Sequence, residues 1–184
     1  MPATRMPRPK TTRNLNLNLE TYDAQGALRV IVEAPRSSSL KFEFDPSLGL
    51  FTVSRELPLG LAYPFDWGFI PGTRGDDGDP LDAMVLHHEP SYPGVLLPCR
   101  LLGMVEVEQR DGDSAPQTNN RIIATPSWHE ALSALQEARD LPKAVRREIE
   151  QFFVSAVAFT GKRVAIQGWA SAKKAAAFIK ESRT

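Results

Sequence analysis

The chain has 184 residues, with 22 basic and 22 acidic side chains and a formal net charge of zero. That length suits one domain with a sizeable core, and the charge balance argues against a general nucleic-acid or membrane binder. No apolar run approaches the ~20 residues of a membrane span, and the single Cys99 has no internal disulfide partner, which points to a reducing, cytoplasmic compartment.

Residues 1–20 read as a flexible basic arm ahead of one domain over 21–184, because Arg5, Arg8, Lys10 and Arg13 stand there without any apolar stretch. An organelle-targeting segment shares that composition. "ALRVIVE" (27–33) is β-branched and predicts a strand. In "LKFEFD" (40–45), Leu40, Phe42 and Phe44 alternate with Lys41, Glu43 and Asp45, the pattern of a half-buried strand. "DPSLG" (45–49) predicts a turn, and "LFTVSR" a returning strand that ends at Arg55. A loop rich in proline, glycine and aromatic residues runs from Pro58 to Gly72, and an acidic stretch then leads into a strand over 83–86. "LLPCRLLGMVEVEQ" (96–109) predicts one or two strands, "DGDSAPQTNN" (111–120) a polar hairpin loop and "RIIATP" (121–126) a strand.

The second half turns helical. Ser127 and Glu130 make a capping box for a helix over 128–139. Pro142 suits the start of another, with helical periodicity from 144 to about 158. "KRVAIQGW" (162–169) returns to strand, and Ser171 caps a terminal helix. Strands followed by helices indicate an α+β fold, a small barrel with helices on one side. His87 and His88 point to opposite faces and suit surface or edge roles, Cys99 suits a buried position, and the Phe152–Phe153 pair suits the core.

The acidic stretch poses the functional question. "GDDGDPLDAMVL" (75–86) crowds Asp76, Asp77, Asp79 and Asp82 into seven positions, where carboxylates repel one another. Either it is a solvated turn or a divalent cation makes the crowding favourable. Magnesium takes oxygen ligands and keeps several waters, so a few carboxylates plus a phosphate substrate suffice. The spacing does not suit an EF-hand, and no glutamate closes the loop. A phosphate site also needs cations: Lys41 and Arg55 are suitably charged, and Tyr63 offers a phenolic donor.

"DGDPLD" (77–82) resembles the Asp-x-Asp-Pro-x-Asp signature of the family I soluble inorganic pyrophosphatases. The likeness continues through "VEAP" (32–35), "LKFEFD", "RELPLGLAYPFDWGFIP" (55–71), "RIIATP", "FF" (152–153) and "GKRVAIQGW" (161–169), covering roughly 25 to 170 in order. The resemblance implies a small OB-type five-stranded β-barrel with flanking helices, hydrolysis of pyrophosphate or a related phosphoanhydride by metal-activated water, and assembly as a homo-oligomer. It implies Mg2+ as cofactor, with Mn2+ as a substitute. By the same resemblance Asp77, Asp82 and Glu33 match metal-site acids, Asp79 the aspartate that helps activate the attacking water, and Glu43 a further acid. Lys41, Arg55 and Tyr63 match phosphate-holding groups, and Arg121, which stands where the family has a lysine and retains its charge, is expected to bind the substrate phosphates with them.

The chain departs from that pattern at several positions. Trp67 replaces a tyrosine and has no hydroxyl. Asn119 replaces an aspartate, and its amide oxygen can ligate a metal without bringing charge. A second acidic position falls near Gln109 or Arg110, and a tyrosine–lysine pair is replaced by Ala156-Val157. These changes remove negative ligands and phosphate donors, so fewer bound metals are expected. The alternative reading is a catalytically impaired relative that binds phosphate, a nucleotide or a protein partner.

Overall fold

The computed structural model describes residues 19–184; residues 1–18 of the expected basic arm lie outside the described residues. Nine strands are assigned among them: β1 (Leu28–Ala34), β2 (Leu40–Asp45), β3 (Leu50–Glu56), β4 (Asp66–Phe69), β5 (Asp82–Val85), β6 (Leu96–Asp111), β7 (Gln117–Thr118), β8 (Arg121–Pro126) and β9 (Lys162–Ser171). Two α-helices, α1 (Lys143–Ala156) and α2 (Ala172–Glu181), complete an α+β fold. The segment 96–111 forms one continuous strand of 16 residues.

Its length lets β6 organise the sheet. Its first half pairs with β1, its middle with β8 and its second half with β9. From β1 the pairing runs through β4, β5, β8 and β6 and returns to β1; only the β5–β8 step is parallel. Strand side chains alternate between two cores. Ala83, Val85, Ile122 and Ala124 pack with Val30, Val32 and Leu97 and with Ala175 and Ile179 of α2. Met84, Leu86 and Ile123 face the other way, toward Ile149, Phe152 and Phe153 of α1. Both sheet faces are therefore covered, which explains the near-continuous apolar runs of β5 and β8.

β2 and β3 form a separate two-stranded sheet, with Lys41 paired to Arg55 and a bulge immediately after that pair. The helix expected over 128–139 does not form. Two short 3-10 turns, 130–132 and 138–140, stand there instead. The proposed cap is diverted, since Ser127 Oγ donates to the Pro98 carbonyl at 3.1 Å. Arg100 donates to the carbonyls of Leu132 and Leu135 at 2.9 and 2.8 Å, taking acceptors that a continuing helix would need. Ser171 does cap α2, accepting from the Lys174 N–H at 3.3 Å.

His87 departs from the expected surface role. Its side chain is 10% exposed and its Nε2 lies 2.9 Å from Oδ2 of the fully buried Asp66. Asp66 also accepts from the Arg36 N–H at 2.7 Å and from the Ser91 hydroxyl, which ties β4 to its flanking loops. His88 is exposed and packs on His129, and Cys99 is buried as expected. No described helix is long and apolar enough to cross a membrane.

The β1–β4 contact depends on a missing side chain. A Cβ at Gly68 would stand 1.9 Å from the Ile31 carbonyl oxygen and 2.9 Å from Val32 Cα. Backbone must move to admit any other residue. Gly68→Ala is expected to lower unfolding free energy by at least about 1–3 kcal/mol, the usual cost of overpacking; denaturant titration checks this, and unchanged stability would refute the close approach.

Candidate active site

The acidic loop is held open by its own backbone. Gly78, at φ +85°, turns the chain between Asp77 and Asp79. The Asp79 N–H donates to Asp77 Oδ1 at 3.1 Å, and the Gly75 N–H donates to the Asp79 carbonyl at 2.8 Å. Thr73 Oγ1 accepts from the Leu81 N–H at 3.0 Å and donates to the Ile70 carbonyl at 2.6 Å, fixing where the loop enters β5. Asp82 is the first residue of that strand.

These acids open onto a pocket of about 290 Å³, at the small end for ligand sites. Of the four crowded aspartates Asp77, Asp79 and Asp82 line it and Asp76 does not; with them stand Glu33 from β1, Lys41 and Glu43 from β2, Arg55 from β3, Tyr63, Asn119, and Arg121 from β8. The residues span 33 to 121, so six separate segments converge on one hollow. Gln109 and Lys162 also line it. Sequence reasoning singled out no role for Lys162, because a lysine after a glycine at a strand start carries no specific signal.

Opposite signs are interleaved. Lys41 and Arg55 face each other across the β2–β3 ladder, where like charges repel. Lys41 Nζ donates to Glu43 Oε1 at 2.8 Å. Arg55 Nη2 donates to the Ala156 carbonyl at 2.6 Å, at the C-terminal end of α1 where cations are favoured. Arg121 forms an ion pair with Asp82 and donates to Asn119 Oδ1 at 2.5 Å. Asn119 Nδ2 donates to Asp77 Oδ2 at 3.3 Å.

Aromatic rings form the floor. Tyr63 packs on Phe152 at 5.1 Å between centroids, and Trp67 packs on Phe153 at 5.8 Å. Burial pushes the Tyr63 phenol above its ordinary range, the Glu33 charge adds to this and Arg55 opposes it. Tyr63 is therefore a neutral O–H donor across the working pH range.

The donor set suits a hard divalent cation, since Asp77, Asp79 and Asp82 offer only carboxylate oxygens. Among the described residues no three His, Cys, Asp or Glu side chains converge on one point.

Comparison with known proteins points the same way. The family model described as inorganic pyrophosphatase matches residues 30–184. The inorganic pyrophosphatase of Thermus thermophilus is 37% identical over 155 residues, 83% of this chain and 86% of the relative. That of Sulfolobus acidocaldarius is 36% identical over 156 residues, 83% and 87% of the two chains. The crystal structure of the Thermus thermophilus inorganic pyrophosphatase matches with a TM-score of 0.81 at 34% identity, covering 89% of this chain and 94% of that one. An inorganic pyrophosphatase from Coxiella burnetii matches with a TM-score of 0.80 at 30% identity, covering 89% and 97%. Sequence likeness over this span, together with a shared backbone, means that the chain belongs to the inorganic pyrophosphatase family.

Proposed function

We propose that the chain hydrolyses inorganic pyrophosphate to two phosphates with a divalent cation, Mg2+ by preference and Mn2+ as substitute. One observation carries this reading: the Lys41–Arg55 pair and the Asp77–Asp79–Asp82 loop, far apart in sequence, share one pocket of about 290 Å³. Cations and anions on facing walls suit a substrate that is highly anionic and travels with a metal. The small volume favours pyrophosphate over a nucleotide.

In this reading Lys41 and Arg55 hold phosphate oxygens, Arg through a planar fork and Lys as a point charge. Tyr63 donates its O–H to the same anion. Asp79 accepts the proton of the attacking water, as a carboxylate at the loop tip is suited to do. Asp77 and Asp82, with Glu33 behind them, would hold the cation, which when bound neutralises charge on the phosphate oxygens. Asn119 turns its amide oxygen to Arg121, so we assign it to anchoring that guanidinium.

The finer architecture belongs to the same proposal. The strand circuit closed by β1 and β6 supports a small OB-type five-stranded barrel, with residues 21–184 as one domain. Cys99, the chain's single cysteine, supports a reducing, cytoplasmic setting. Exposed apolar side chains such as Leu59 and Tyr92 support a homo-oligomer.

Phosphate release from pyrophosphate tests the reaction. Chelation is expected to abolish it, and Mg2+ or Mn2+ to restore it; no release at any level of either metal would instead favour the non-catalytic alternative. Asp79→Asn is expected to lower kcat by ~10²–10⁴, the usual range for a lost proton acceptor, with unchanged far-ultraviolet circular dichroism. Full turnover in that variant would remove Asp79 from the chemistry. Tyr63→Phe is expected to lower the rate by ~10²–10³, the range for a lost stabilising donor. Because the Tyr63 phenol titrates above its ordinary range, this change is expected to leave the alkaline limb of the pH–rate profile where it was.

A further inference from the structure

We propose that Arg121 is a built-in cation of the site: its fixed guanidinium neutralises the Asn119 and Gln109 side of the pocket and one oxygen of Asp82, taking the place of a divalent ion beyond the one that Asp77 and Asp82 would hold, so the chain works with a reduced complement of metal. This inference rests on the pyrophosphatase reading above and deepens it.

Three of the positions at which the chain departs from its family's pattern, Trp67, Gln109 and Asn119, come together around one side chain, itself a fourth. Arg121 stacks over the Trp67 ring at 5.3 Å. It pairs with Asp82, donates from Nη1 to Asn119 Oδ1 at 2.5 Å and from Nη2 to Gln109 Oε1 at 3.4 Å. Asn119 Nδ2 closes the set by donating to Gln109 Oε1 at 3.3 Å and to Asp77 Oδ2 at 3.3 Å. Each of these three suits a guanidinium. An indole offers the broad face on which a planar cation stacks. Two amides supply acceptor oxygens without adding charge. Arginine, unlike lysine, presents enough N–H groups in one plane to meet all of these acceptors at once.

The guanidinium is also held firmly. Arg121 is 8% exposed. A guanidinium keeps its charge throughout the physiological pH range. A positive charge fixed against Asp82 engages one of its oxygens and disfavours any cation beyond the one that Asp77 and Asp82 would hold. The two other pocket cations on the β2–β3 ladder face elsewhere, Lys41 toward Glu43 and Arg55 toward the Ala156 carbonyl.

Counting metal on the phosphate-free full chain tests the assignment without recourse to activity. Mn2+ bound per chain is measured by electron paramagnetic resonance. Arg121→Gln is expected to take up one more Mn2+ than the parent, and an equal count would overturn the proposal. Because Arg121→Gln leaves Asp82 without its partner and risks misfolding, Asn119→Asp provides an independent arm. The added carboxylate is expected to be taken up by Arg121 with no gain in Mn2+; a gain would overturn the proposal. Phosphate release by the parent is measured on the same preparation. Its absence overturns the pyrophosphatase reading, whereas release with an unchanged Mn2+ count in Arg121→Gln overturns the Arg121 assignment alone.

Discussion

Charge crowding, relieved pair by pair, is the constraint on which this pocket depends. Lys41 lies opposite Arg55 on a sheet ladder, and Asp77, Asp79 and Asp82 follow one another within a single loop. Either arrangement is unfavourable in isolation. Glu43 relieves the first from one strand and the α1 terminus from another side, while Arg121 and Asn119 relieve the second. The sign of the field changes across a few ångströms, which is what a metal–phosphate complex requires of its binding surface. Such a surface is preorganised, because its charges are positioned by the fold before any substrate arrives.

The scaffold exists to hold those segments at fixed relative positions. Gly68 allows β4 to approach β1, which brings Trp67 and Glu33 to the same wall. α1 contributes Phe152 and Phe153, on which Tyr63 and Trp67 pack, and its last carbonyl, that of Ala156, holds Arg55. The Asp66–His87–Ser91 cluster secures the far end of β4. Packing and electrostatics are therefore coupled: the aromatic floor that fills the second core is also the surface against which the cations are oriented.

Much of this was legible in the order of residues. Lys41, Glu43, Arg55, Tyr63 and the aspartate loop were all singled out from residue type and spacing, or from resemblance to a family. The alternation of "LKFEFD" and the β-branched "ALRVIVE" gave their strands, and Ser171 gave the start of the last helix, because those signals act over a few residues. The helix over 128–139 failed for a reason that local pattern does not contain. Its cap hydroxyl and its carbonyls found partners at Pro98 and Arg100, about thirty residues earlier in the chain. His87 likewise departs from its local pattern, since nothing adjacent to it announces the buried Asp66.

What the sequence determined by itself is the inventory: which charges exist, which short segments extend or coil, and which family the motifs resemble. Only the tertiary structure decided which charges meet. Trp67, Gln109 and Asn119 read individually as losses from a known pattern, yet in space they form one contact set around the Arg121 guanidinium. The physical reason is one of range. Periodicity, caps and turns are set by neighbours along the chain, whereas ion pairing and stacking depend on distances between segments that only strand pairing and core packing establish.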